Sequence, residues 1–95
     1  MIKVVAKSTI QEGKIEEYKK IVAGLIAETR KEEGCLAYEL FQDVNNSNIF
    51  TFIEEWTTRE ALQNHMKSQH FTEAMPKLNE IRAKESEVNI YTLFM

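Results

Sequence analysis

Cysteine is nearly absent: Cys35 stands alone in 95 residues, so no internal disulfide is possible. A lone cysteine can be a nucleophile, but at the start of an apolar strand it reads better as a small packing residue. Proline occurs once, at Pro76, and glycine three times, which leaves no Pro/Gly-rich linker or low-complexity stretch. The expectation is one domain, residues 1–95. No apolar run approaches the roughly 20 residues that cross a bilayer. The opening MIKVVAKSTI alternates like a strand and has no long apolar core of a secretory leader, so a cytoplasmic protein is expected. Cationic excess is missing too. Twelve Lys and Arg are interspersed among 15 Asp and Glu for a net charge of −3, which argues against a nucleic-acid partner.

What is present is patterned. Residues 2–10 alternate with period two, and a Gln11–Glu12–Gly13 turn follows. From Lys14, Ile15, Tyr18, Ile21, Val22, Leu25 and Ile26 recur at helical spacing, which predicts a helix of about five turns. Arg30 and Lys31 suit its last turn, and Gly34 is its stop. Strands are expected over 35–44 and 49–57, joined by an Asn-rich hairpin turn, and over 88–94. Between the last two, Thr57 or Thr58 caps a helix that breaks near Ser68–Gln69, with a further kink or restart at Pro76. The order β-α-β-β-α-β is the α+β, ferredoxin-like pattern: a four-stranded antiparallel sheet with helices on one face. Both faces of the central strands are apolar. Phe50, Phe52 and Trp56 alternate with Ile49 and Ile53, so a homodimer burying sheet against sheet is expected.

Histidine and tryptophan are scarce side chains, and they cluster. The only tryptophan, Trp56, precedes the only histidines, His65 and His70, which are five residues apart. Histidine titrates near neutrality, so this grouping points to a proton-handling pocket. His65 shares an apolar helix face with Leu62 and Met66, and reads either as a core-edge residue or as a pocket base. On a continuous helix His70 falls about 140° away. A break at Ser68 brings the rings together; otherwise His70 ties down the loop. Histidine pairs that bind zinc on a helix favour a spacing of four, and the pattern places no third ligand here, so no metal is expected. Trp56, Tyr38, Phe52 and Phe71 read as packing residues that also wall a pocket. Glu54 breaks the apolar row, and reads either as an edge glutamate reaching water or a lysine, or as a carboxylate that orients His65.

The segments LIAETRKEEGCLAYELFQD, FIEEWTTREAL and NHMKSQHF, taken with the strand order, resemble the antibiotic biosynthesis monooxygenase family. The resemblance implies a dimeric ferredoxin-like domain with a pocket between sheet and helices, no flavin or metal cofactor, and oxidation of quinols or aromatic polyketides. One related branch isomerises a phosphorylated signal and has a similar histidine pair. A haem-degrading branch is disfavoured: its pattern wants an asparagine on the first strand, an aromatic at His65 and a ligating histidine at Met75. The polyketide enzymes keep an amide where this chain has Phe52. The expectation is therefore a cofactor-independent oxidation of a small dihydroxyaromatic by oxygen, with His65 and His70 catalytic. Trp56, Tyr38, Phe52, Phe71 and Glu54 are expected to hold the substrate. Isomerisation of a small hydroxyketone and a non-enzymatic dimeric binding domain are the alternatives.

Overall fold

In the computed structural model, which describes residues 1–95, seven elements form one layer of sheet under one layer of helices. They are β1 (Ile2–Thr9), α1 (Ile15–Thr29), β2 (Cys35–Gln42), β3 (Ile49–Trp56), α2 (Arg59–Lys67), α3 (Gln69–Ile81) and β4 (Glu87–Thr92). The sheet order is β2-β3-β1-β4, antiparallel throughout, as the ferredoxin-like pattern requires. Register settles which apolar row meets the helices. Ile2 pairs with Trp56, Val4 with Glu54 and Ala6 with Phe52, while Tyr38 and Leu40 pair with Glu54 and Phe52. Cross-strand partners share a face. That face, with Tyr18, Val22 and Leu25 of α1 and Leu62, Leu78 and Ile81 of the later helices, makes the core. Leu36 leaves the expected alternation. A register shift between Cys35 and Ala37 turns it outward, and it is 57% exposed.

The helices differ from the expected ones in two places. α1 stops at Thr29, so Arg30 is its C-cap and Lys31 lies beyond it. Instead of neutralising the last turn, Arg30 reaches across to donate from Nε to the Tyr38 carbonyl at 3.1 Å. Pro76 neither breaks nor restarts anything; it lies inside α3. The interruption sits wholly at Ser68, whose extended backbone (ψ 153°) ends α2 and starts α3.

Gly34 holds the loop between α1 and β2 against the start of α2. Its φ is +87°, and a Cβ there would meet the Ala61 Cβ at 2.5 Å and Thr57 Oγ1 at 2.8 Å. Only glycine satisfies both constraints at once. Its carbonyl accepts the Thr57 N–H at 2.9 Å, closing the loop onto the end of β3. Two residues earlier in this pinned loop stands Glu32.

Candidate functional site

The site is assembled by the end of α2. The Thr58 hydroxyl caps that helix by accepting the Ala61 N–H at 3.0 Å, as the sequence led one to expect of a threonine here. The apolar face of α2 then carries His65 inward to 1% exposure. At the break, the Ser68 hydroxyl donates to the His65 carbonyl at 2.6 Å and accepts from Phe71 N–H at 3.3 Å. This re-aims the chain, and His70 swings to a ring-centroid distance of 6.2 Å from His65. One oxygen serves both rings: Glu32 Oε2 lies 2.7 Å from His65 Nδ1 and 2.6 Å from His70 Nε2. A carboxylate is acceptor-only, so both rings donate to it. His65 therefore carries its proton on Nδ1, and its Nε2 has no protein partner.

Aromatic rings enclose the imidazole. Trp56, Phe71 and Tyr38 lie at centroid distances of 4.8, 4.9 and 5.4 Å. Burial lowers the His65 pKa below its usual 6.5, and the hydrogen bond and charge of Glu32 only partly oppose this. His65 is thus neutral at pH 7, a base waiting for a proton. Glu54 is shifted the other way. Burial raises its carboxyl from 4.5 to about 7, against the hydrogen bond that Trp56 Nε1 donates to its Oε1 at 3.0 Å. Burial likewise pushes the Tyr38 phenol up, with Glu54 adding to the effect. Cys35 is also raised, by burial and by the nearby Glu32 and Glu54, which suits a packing thiol and not a nucleophile.

A stability prediction follows from Glu54. Between its unfolded value of 4.5 and its folded value of about 7, the folded protein holds a proton that the unfolded chain releases. Its contribution to stability therefore falls as pH rises through that window. Glu54→Gln keeps an acceptor for Trp56 but removes the titration. Thermal melts should show the variant gaining on the parent above pH 7, by something on the order of 3 kcal/mol, with no gain near the acid end of the window. A difference independent of pH would mean that Glu54 is not buried as a carboxylic acid.

A cavity of about 760 Å³ lies between the sheet and the helices, within the range of small-molecule sites. Tyr38, Phe52, Glu54, His65 and Phe71 all line it, so five of the seven singled-out side chains converge. Trp56 and His70 do not. Trp56, read from sequence as a wall, is fully buried behind the His65 ring; His70 stands on the far side of Glu32. The carboxylate that orients His65 is Glu32 and not Glu54, which is taken by Trp56. Glu32 also supplies the third ligand-type group that the sequence pattern did not place: its oxygen and the two ring nitrogens all lie within 4.8 Å. These three could hold a divalent ion only by giving up both N–H···O bonds. Glu32 was hard to find because 33 residues separate it from His65; its only signal was its place in the KEEGC segment. Arg82 and Lys84, which line the opposite end of the cavity, had no signal at all.

Three comparisons bear on this geometry. The family profile described as "Antibiotic biosynthesis monooxygenase" matches residues 1–77. The chain is 32% identical over 92 residues to an uncharacterized protein of Synechocystis, covering 97% of itself but only 63% of that relative's length. It is 30% identical over 88 residues to the "Putative monooxygenase YcnE" of Bacillus subtilis, with 93% of each chain covered. A crystal structure described as an antibiotic biosynthesis monooxygenase superposes with a TM-score of 0.96 at 35% identity, covering 100% of both chains.

Proposed function

This chain belongs to the antibiotic biosynthesis monooxygenase family, and from that premise we propose that it oxidises a small quinol with molecular oxygen, using no cofactor. The observation that carries the reading is a single one. A buried imidazole, held by Glu32 in the Nδ1–H tautomer, lines an aromatic cavity with its Nε2 unengaged. Tyr38, Phe52 and Phe71 offer a flat ring an aromatic wall to lie against. Nε2 takes one phenolic proton, and the phenolate formed is electron-rich enough to reduce oxygen directly. One oxygen atom then enters the ring and the other leaves as water, so quinol and oxygen become hydroxyquinone and water. The protein supplies binding, orientation and a base.

The test is oxygen uptake by chelator-treated protein against a panel of quinols, with isotopically labelled oxygen to follow the inserted atom. Uptake above the autoxidation blank with label in the product is expected. Label found only in water or peroxide would replace monooxygenation by simple oxidation, and no uptake would remove the quinol reading. Isomerisation of a phosphorylated hydroxyketone is the second reading, favoured by one observation: Arg82 and Lys84 share the cavity with His65. It requires turnover with oxygen excluded.

The same reading includes a second copy of the chain. The sheet face away from the helices carries Ile49 and Ile53, neither fully buried, with Phe41 at 48% and Tyr91 at 50% exposure. Such a row is normally covered. Light scattering is expected to return twice the 11.1 kDa chain mass, and Phe41→Glu, on the exposed row of edge strand β2, should return the single mass. A monomeric parent would remove the homodimer. No helix here is long and apolar enough to cross a membrane.

A further inference from the structure

The cavity has two chemically different ends, and only one contains the base. Val4 is level with Glu54, whereas Ser8, four residues on, is level with the loop before β4. Four strand residues separate these levels by about 13 Å. At the second level Arg82, Lys84, Ser8, Ser86 and Asn79 line the space, with Glu85 the one acidic neighbour. Arg82 is half-buried, yet no carboxylate lies within ion-pairing range of it; the contact recorded for its guanidinium is Nη2 to the Met75 sulfur at 3.8 Å. A thioether is a poor acceptor for a group with five N–H donors. The Ser8 and Ser86 hydroxyls bond each other at 2.7 Å. One of them donates, so the other hydroxyl keeps a proton to offer.

A guanidinium fork with no anion, a spare hydroxyl donor and a rim lysine form an incomplete set. What completes it is a group with several acceptor oxygens and negative charge. We propose that this end is an anion subsite, and that the molecule taken by the cavity is elongated: a flat ring beside His65 and Phe52, and a carboxylate or phosphate tail on Arg82. The proposal rests on reading the cavity as the substrate site, but not on the redox chemistry assigned to it. An unsubstituted quinol would leave the guanidinium unsatisfied, whereas a tailed one fills both ends.

The experiment uses probes with no phenol, so that oxidation plays no part. Phenylpropionate, its neutral amide and phenethyl phosphate are titrated calorimetrically into the full chain and into Arg82→Gln and Arg82→Lys. The acid should bind the parent at least about tenfold tighter than the amide, as expected for a charge-assisted fork. That preference should vanish in Arg82→Gln and return in part in Arg82→Lys, with melting temperatures confirming that all variants fold. The tighter of carboxylate and phosphate names the tail. Equal affinities of acid and amide, no binding of either, or a preference that survives Arg82→Gln each overturn the subsite. Should the quinol panel show no oxygen uptake while the Arg82-dependent preference holds, the redox reading falls and the anion end stands.

Discussion

Alanine in place of His65 is expected to lower kcat for quinol oxidation by about a hundredfold to ten-thousandfold, the usual worth of a positioned general base. Glu32 takes the Nδ1–H, which leaves Nε2 as the lone-pair nitrogen of a ring that lines the cavity. Because burial lowers the pKa of that ring below 6.5, the base form is already dominant at neutral pH. The rate should therefore be flat near pH 7 and fall on the acid side, through a value lower than that of a free histidine. Glu32 opposes the burial effect, so Glu32→Gln should push the acid limb lower still while reducing kcat by at most about tenfold per unit of lost basicity, the Brønsted limit. His70→Ala should cost little in comparison, since that ring does not line the cavity and reaches His65 only through Glu32. A packing role for His65 predicts a different outcome. kcat per folded molecule would survive His65→Ala, and the acid limb would not move with Glu32→Gln.

The fold was legible because the period changes are clean. Alternation over 2–10 and spacings of three and four from Ile15 leave few other arrangements. The break at Ser68 was readable as well, because a serine there both ends and caps a helix. Pro76 misled. A proline within α3 costs one backbone hydrogen bond, but the helix is held by Ala74, Leu78 and Ile81, which are buried on its inner face. The site was half legible for a related reason. Periodicity reports which residues share a face, so it found Phe52, Glu54 and His65. It is silent about which loop arrives from elsewhere. Glu32 reaches the histidines only because Gly34, with its positive φ, lets the loop press on Ala61. Arg82 reaches the cavity because its backbone bridges to Ile10 after α3 ends. Both placements depend on tertiary contacts that local pattern does not encode.

The largest loss of stability is expected from Trp56→Ala. Trp56 is the largest fully buried side chain, and removing it empties the space behind His65, at a cost of about 3–5 kcal/mol. The same change strips Glu54 of the N–H that its Oε1 accepts at 3.0 Å, and a buried polar atom left unpaired costs a further ~1–3 kcal/mol. Domains of ordinary stability have only about 5–15 kcal/mol in total, so this variant should lose half of its stability or more and melt far below the parent. The two contributions separate in a cycle. Trp56→Phe keeps most of the packing but leaves Glu54 without its donor, and the Glu54 pKa should climb further, because the Trp56 bond is what holds it down. Adding Glu54→Leu to Trp56→Phe removes the orphaned carboxyl. Denaturant melts should then find the double variant more stable than Trp56→Phe alone, with a coupling of at least about 1 kcal/mol. Additive effects would mean that the Trp56–Glu54 bond contributes nothing. The role of Trp56 would then be packing alone, and the shape of the aromatic cage around His65 would rest on its ring and not on its hydrogen bond.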